Sequence, residues 1–285
     1  MYKLLITGGN GQLGRAINNL YAKRDDIECI NTDVADLDIT NLDAVLAYVE
    51  KCKPYAIVNC AAHTAVDLCE DQEDLAYKIN AIGPRNLSIA AEKYNCKMMQ
   101  ISTDYVFAGD ATTPYTEFDN PAPQGVYGRT KLAGENFVKE FSSKYFIIRT
   151  AWLYGDGKNF VKTMLKLAED RNEIGVVCDQ VGSPTSTVEL AKAMDALLFT
   201  ENYGVFHGTC EGVCSWADFA EEIFRIAGKD VKVNHLTSDQ YPAKAKRPAY
   251  SVLENYMFKL TTDFMFADWH DALNVYMDWL KNQEN

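Results

Sequence analysis

Apolar residues in the first half of the chain gather in short, unbroken runs, separated by stretches in which they recur every three or four positions. Leu4-Leu5-Ile6, Ile27 to Asn31, Ala56-Ile57-Val58-Asn59-Cys60 (introduced by Pro54), Met98-Met99-Gln100-Ile101 and Phe146-Ile147-Ile148-Arg149 each have the length of a buried strand. Between them, Gly11 to Lys23, a long stretch from about Asp71 to Tyr94, and the segment running on from Tyr127 read as helices. Strands that alternate with helices pair in parallel through right-handed crossovers. The pattern therefore predicts an α/β fold, a doubly wound parallel sheet of Rossmann type.

Beyond Trp152 the pattern loosens. Asn159 to Arg171 and Val188 to Phe199 read as helices, and Ser215-x-x-Asp218 opens a capped helix that runs to Ala227. Gly182-Ser183-Pro184-Thr185 and Pro242 to Pro248 read as loops. We expect a dinucleotide-binding domain over 1–152, with the chain returning to it around 188–209. The remainder, 153–285, forms mainly a smaller α/β substrate-binding region on the carboxyl edge of the sheet.

Charge narrows the partners. A formal net charge of -12 and a pI near 4.8 argue against a nucleic-acid partner, whose phosphates call for a basic patch. No apolar stretch has the length of a membrane span, and Gly8 interrupts the N-terminus too early for a signal peptide. The expectation is a cytoplasmic protein with no membrane partner, its eight cysteines reduced. His207, Cys210 and Cys214 lack a fourth ligand at the usual spacing, so no metal is expected.

Two local patterns carry chemistry. Gly8, Gly11 and Gly14 stand at three-residue intervals between the first strand and the first helix. Glycines there let the backbone approach a diphosphate at the positive helix N-terminus. Asp33 follows the second strand, where a carboxylate can accept hydrogen bonds from ribose hydroxyls; Asp33, Asp36 and Asp38 can equally be solvated loop carboxylates. An acid favours NADH, while Arg15, just past Gly14, can offset the extra phosphate of NADPH, so both cofactors stay open.

The second pattern is Tyr127-Gly128-Arg129-Thr130-Lys131, downstream of Ser102-Thr103-Asp104. Four residues is just over one helical turn, so the phenol and the ammonium share a face. A neighbouring cation lowers a phenol's pKa toward the working range. Tyr127 is the expected proton donor to a ketone oxygen, Thr103 the group that orients that oxygen, and Lys131 the tuning cation and a ligand of the nicotinamide ribose. Asn80, in the long helix, is a candidate buttress for the lysine. Tyr154 and Lys158 repeat the spacing, but two intervening glycines argue against a helix there.

Together these motifs resemble the extended short-chain dehydrogenase/reductase superfamily. Further segments resemble, more narrowly, the dTDP-4-dehydrorhamnose reductase family: Asn59-Cys60-Ala61-Ala62-His63-Thr64-Ala65-Val66-Asp67, Ser102 to Phe107, Tyr127 to Glu135, Arg149 to Gly155, Asp179 to Thr185 and Arg247-Pro248. That resemblance implies reduction of the 4-keto group of dTDP-4-dehydro-6-deoxy-L-mannose to dTDP-L-rhamnose with NADPH or NADH, by a monomer or homodimer. It places Gly11, Gln12 and Leu13 on the cofactor diphosphate, Asp33 at its adenosine end, and Asp38 and Ile39 beside the adenine. Ala62, His63 and Thr64 would line the nicotinamide side, Thr103 and Asp104 would contact the sugar, and Trp152 would border the hexose. Some family members bridge two subunits through magnesium held by acidic residues, one just after the glycine turn; this chain has Arg15 there. The same resemblance leaves two alternatives: another nucleotide-sugar epimerase or dehydratase, or a non-catalytic regulatory subunit of methionine adenosyltransferase.

Overall fold

The apolar runs become adjacent strands of one parallel sheet in the computed structural model, which describes residues 1–241 and 243–283. Pro242 of the expected 242–248 loop and the last two residues of the expected 153–285 region lie outside the described residues. In chain order the first half contains β1 (Tyr2–Thr7), α1 (Gln12–Tyr21), β2 (Ile27–Thr32), α2 (Leu42–Cys52), β3 (Ala56–Asn59), α3 (Val66–Cys69), α4 (Glu73–Tyr77), α5 (Gly83–Lys93), β4 (Lys97–Thr103), α6 (Val126–Phe141) and β5 (Tyr145–Thr150). The second half adds β6 (Leu153–Tyr154), α7 (Phe160–Asp170), β7 (Glu173–Val177), β8 (Val181–Gly182), β9 (Thr185–Ser186), α8 (Thr187–Leu198), β10 (Gly204–His207), β11 (Cys214–Ser215), α9 (Trp216–Ala227), β12 (Lys232–Leu236), α10 (Tyr256–Thr261) and α11 (Trp269–Gln283).

Across the sheet the order is β10-β5-β4-β3-β1-β2, with every pair parallel. The winding reverses between β1 and β3, and such a switch point opens a crevice at the carboxyl ends of the strands. Alternate residues face opposite layers. Leu4, Ile6, Val58, Met99 and Ile148 pack with Leu190, Met194 and Leu197 of α8, while Leu5, Ile57, Met98 and Ile147 pack with Val45, Leu87 and Val138 of α2, α5 and α6. Both faces are buried, which is why these strands read as continuous apolar runs.

Sequence and structure differ in several places, among them α10 and α11, which had no counterpart in the expected elements. Helix α2 has no counterpart among the expected elements; Asn41 caps it by accepting from Ala44 N, and it ends on Lys53 with a left-handed φ of 46°. The long helical stretch spans Glu73–Lys93 but contains a π turn over Lys78–Ile82. Gly182 and Thr185, expected in a loop, belong to the two-residue strands β8 and β9, which pair with β11 and β6. The α9 cap is as expected, with Ser215 and Asp218 forming a reciprocal capping box. A separate apolar cluster built from Val161, Met164, Ile174, Phe219, Ile223 and Leu273 supports the second half.

Candidate active site

A cavity of about 1060 Å³ lies along the carboxyl edge of the sheet and extends under the second half of the chain. Beneath it, buried on the strand ends, runs a polar ladder that reaches the cavity at Thr7. Thr7 donates to Asn59 Oδ1 at 2.6 Å, Asn59 donates to Gln100 at 2.7 Å, and Ala61 N donates to the same Asn59 oxygen at 3.1 Å. These bonds satisfy buried groups and turn the chain out of β3 toward residues 61–64.

Gly8, with φ 68°, opens the turn after β1. Helix α1 starts at the cavity with neither a side-chain cap nor an acidic residue in its first turn. Its first-turn N–H groups and positive dipole end are therefore left for an anion, which fits a dinucleotide diphosphate. Gly8, Gly11, Gln12 and Leu13 line the wall. Gly14 does not: a Cβ there would sit 2.6 Å from the carbonyl oxygens of Gly8 and Gly9, so it serves close packing of helix on turn. Asp33, Asp38 and Ile39 also line the wall. Asp33 accepts from Asn10 N at 3.3 Å and Val34 N at 3.1 Å, and Asp38 caps its own turn through Thr40.

Ala62 and Thr64 reach the cavity, whereas His63 does not. Asn80 holds the His63 backbone, accepting from its N–H at 2.8 Å and donating to its carbonyl at 3.1 Å, and reaches Thr130 Oγ1 at 3.2 Å. Asn80 thus ties the 61–64 segment to α6 instead of buttressing Lys131. The His63 Nε2 atom is buried without a hydrogen-bond partner among the described residues.

Thr103, Tyr127 and Lys131 meet on this wall, delivered by the end of β4 and the first two turns of α6. Gly125 offers no side-chain cap to α6; Glu70 supplies one from outside by accepting from Val126 N at 2.8 Å. The glycines that weaken α6 as a sequence are spacers in the fold. A Cβ on Gly128 would fall 2.1 Å from Tyr105 O, and one on Gly134 2.2 Å from Asn80 O. The Tyr127 ring meets Tyr105 edge-on, with centroids 5.4 Å apart.

The electrostatics depart from the expectation that the ammonium lowers the phenol's pKa. Burial dominates and raises the Tyr127 pKa, the Asp104 carboxylate raises it further, and Thr103 pulls it partly back. Lys131 Nζ donates to Ile101 O at 2.6 Å. Burial lowers its pKa to about 8, against upward pulls from Glu135 and Cys60. Tyr127 therefore holds its proton firmly and is suited to giving it to a strong base such as an alkoxide.

Two buried networks support these groups. Ser102 donates to Glu135 Oε1 at 2.6 Å, and Arg149 binds both Glu135 oxygens at 2.9 and 2.7 Å. Asp104 accepts from Thr103 at 2.8 Å and from Ser251 at 2.6 Å. Burial outweighs those two bonds and pushes Asp104 up to about 6.

The far wall is aromatic. Trp152, at a left-handed φ of 50°, stacks on Trp216 with centroids 3.6 Å apart, and Phe160 leans on Trp216 at 4.6 Å. Over the mouth, Arg247 pairs with Asp67 at 2.8 Å and donates to Tyr105 OH at 3.2 Å. Ala245 N donates to Asp67 at 3.0 Å, and Lys244 pairs with Asp71. Trp216, Phe160, Gln180 and Ser251 were not found as site residues from the sequence. Trp216 had one available signal, its place directly after the Ser215 cap.

None of the eight cysteines is paired, and no group of three or more His, Cys, Asp or Glu among the described residues is placed to hold a metal ion. His207 lies in β10, with Nδ1 3.0 Å from Tyr115 O.

Comparison with known proteins agrees with this geometry over nearly the whole length. Residues 2–282 match the family described as RmlD substrate binding domain. The chain is 40% identical to a dTDP-4-dehydrorhamnose reductase of Aggregatibacter actinomycetemcomitans, covering 96% of this chain and 97% of that one. The crystal structure of a dTDP-4-dehydrorhamnose reductase from Clostridium acetobutylicum superposes with a TM-score of 0.96 at 57% identity, over 98% of this chain and 99% of that one. A dTDP-4-dehydrorhamnose reductase from Bacillus anthracis in complex with NADP gives 0.95 at 43% identity, over 98% and 100%.

Proposed function

The chain belongs to the RmlD substrate binding domain family, and from that membership we propose that it reduces the 4-keto group of dTDP-4-dehydro-6-deoxy-L-mannose, giving dTDP-L-rhamnose. The observation that carries this reading is the convergence of Thr103, Tyr127 and Lys131 on one wall of a cavity whose other end is an uncapped helix N-terminus.

When bound, NADPH or NADH supplies the hydride that adds to the ketone carbon. Tyr127 gives its proton to the oxygen on which negative charge develops, so hydride and proton together make the alcohol. Thr103, whose one hydroxyl proton rests on Asp104 at 2.8 Å, turns that proton to the same oxygen when the ketone binds. Lys131 holds positive charge behind the phenol and offers its ammonium to the nicotinamide ribose. The N–H groups of Gln12 and Leu13 receive the diphosphate, Asp33 takes the adenosine ribose, Asp38 and Ile39 flank the adenine, and Ala62 and Thr64 line the nicotinamide side. His63 acts through its backbone. Trp152, backed by Trp216, borders the hexose.

Residues 1–152, with 188–209, form the cofactor half, and the rest of 153–285 mainly receives the sugar nucleotide. Every assigned group comes from one chain, so a monomer or a homodimer is competent. Among the described residues no helix is long and apolar enough to cross a membrane, and we place the reaction in the cytoplasm.

The test is absorbance at 340 nm with a panel of nucleotide-linked 4-keto sugars. One reduced cofactor consumed per dTDP-4-keto sugar supports the proposal. Sugar conversion with no net cofactor oxidation assigns an epimerase or dehydratase, and no turnover with any sugar overturns the catalytic reading.

A further inference from the structure

We propose that this chain selects NADH over NADPH, and that Asp33 is the discriminating residue; the inference rests on the nicotinamide-cofactor reading above. The adenosine end of the cavity is walled by Thr32, Asp33, Val34, Leu37, Asp38 and Ile39. Two of these are carboxylates and none is a cation. Asp33 is fixed in place: its Oδ2 accepts from Asn10 N at 3.3 Å in the glycine turn, and its Oδ1 from Val34 N at 3.1 Å. A second carboxylate closes the same turn, as Asp36 accepts from Asp33 N at 3.0 Å. A ribose diol can donate to such a carboxylate, whereas a 2′-phosphate offers acceptors and about -1.5 to -2 charges where charge of the same sign already stands.

The cations that might compensate are committed elsewhere. Arg15 gives Nε and Nη2 to Asp156 O at 3.1 and 2.5 Å, pairs with the Asp156 carboxylate at 3.2 Å, and does not line the cavity. That corrects the expectation that it offsets an added phosphate. Lysine and arginine appear on the described cavity wall as Lys131 and Arg247, bound to Ile101 O and to Asp67 with Tyr105. Val34, which follows Asp33 on the cavity wall, carries no charge. The Bacillus anthracis relative holds NADP, so the family fold admits the phosphate; in this chain the 33–36 turn sets the preference.

The test is direct binding of NADH and NADPH to the cofactor-free protein, followed by quenching of tryptophan fluorescence, with no sugar present. NADH is expected to bind at least ten-fold more tightly, with the ratio narrowing as salt is raised because screening weakens the repulsion. Asp33→Ser together with Val34→Arg is expected to invert the preference, and Asp33→Asn alone to reduce it. Equal affinities, or tighter NADPH, in the unaltered chain overturn the proposal while leaving the oxidoreductase reading intact. Failure of both dinucleotides to bind overturns the two together.

Discussion

Glu135 grips Arg149 through both carboxylate oxygens, and the two side chains are 0% and 2% exposed. Ser102 adds a third bond to the same carboxylate, so one acidic group joins α6, β4 and β5 directly behind the proposed catalytic wall. Lys131 stands one turn before Glu135 and feels it as its main stabilising charge.

Replacing Glu135 with Gln leaves the Arg149 guanidinium enclosed and unneutralised. Breaking such a pair costs about 3–5 kcal/mol, so the urea midpoint should fall sharply. Glu135→Gln with Arg149→Met should recover part of that loss. In both variants Lys131, held at about 8, loses an upward pull, so the alkaline limb expected in a pH profile of cofactor binding should move to lower pH. A purely structural role for Glu135 would leave that limb in place.

Tyr127→Phe removes the proposed proton donor and keeps the ring. Turnover should fall by about 10²–10⁴-fold, while the Kd for reduced cofactor stays within two-fold of its original value. Single-turnover and fluorescence measurements separate the two, and unchanged turnover would remove Tyr127 from its role.

Asp104 sits in the folded chain with a pKa near 6, raised from 3.8. The folded state therefore binds a proton more readily than the unfolded one between those values. Stability from this group is complete below the unfolded pKa and is lost as pH rises through about 6. Asp104→Asn should raise the unfolding free energy at pH 7.5 by on the order of 3 kcal/mol, with the gain shrinking toward pH 4. A gain of equal size at both pH values would refute the assignment.

Gly182 makes room for the indole of Trp152: a Cβ there would lie 2.6 Å from Trp152 Cε2. Gly182→Ala should push Trp152 off Trp216 at a cost of about 1–3 kcal/mol. The expected signature is a roughly ten-fold higher KM for the sugar nucleotide with an unaltered Kd for NADH. A change confined to cofactor binding would place Trp152 elsewhere in the mechanism.

The sheet was legible because a strand buried on both faces is an apolar run, and the Tyr127–Lys131 pair because one helical turn fixes its spacing. Helix α2 was hidden because Leu42–Cys52 has a mixed pattern that buries only Val45 and Val49. The Asp104–Ser251 bond joins positions 147 residues apart, and the Trp152–Trp216 stack likewise depends on the return of the chain. The sign of the Tyr127 shift was missed for a related reason. Spacing reports that a cation is near, but not how completely water is shut out, and here desolvation wins.

Strand β10 completes the parallel sheet beside β5, yet a ribosome makes it only after the Trp152 region has emerged. A nascent chain halted near residue 152 has β5 as an open edge, with Phe146 and Ile148 still lacking the cover that α8 provides. Translation must run past His207 before the first half can close. The proposed cofactor and substrate halves therefore fold as one unit, and a protein cut between them should be prone to aggregate through that bare edge.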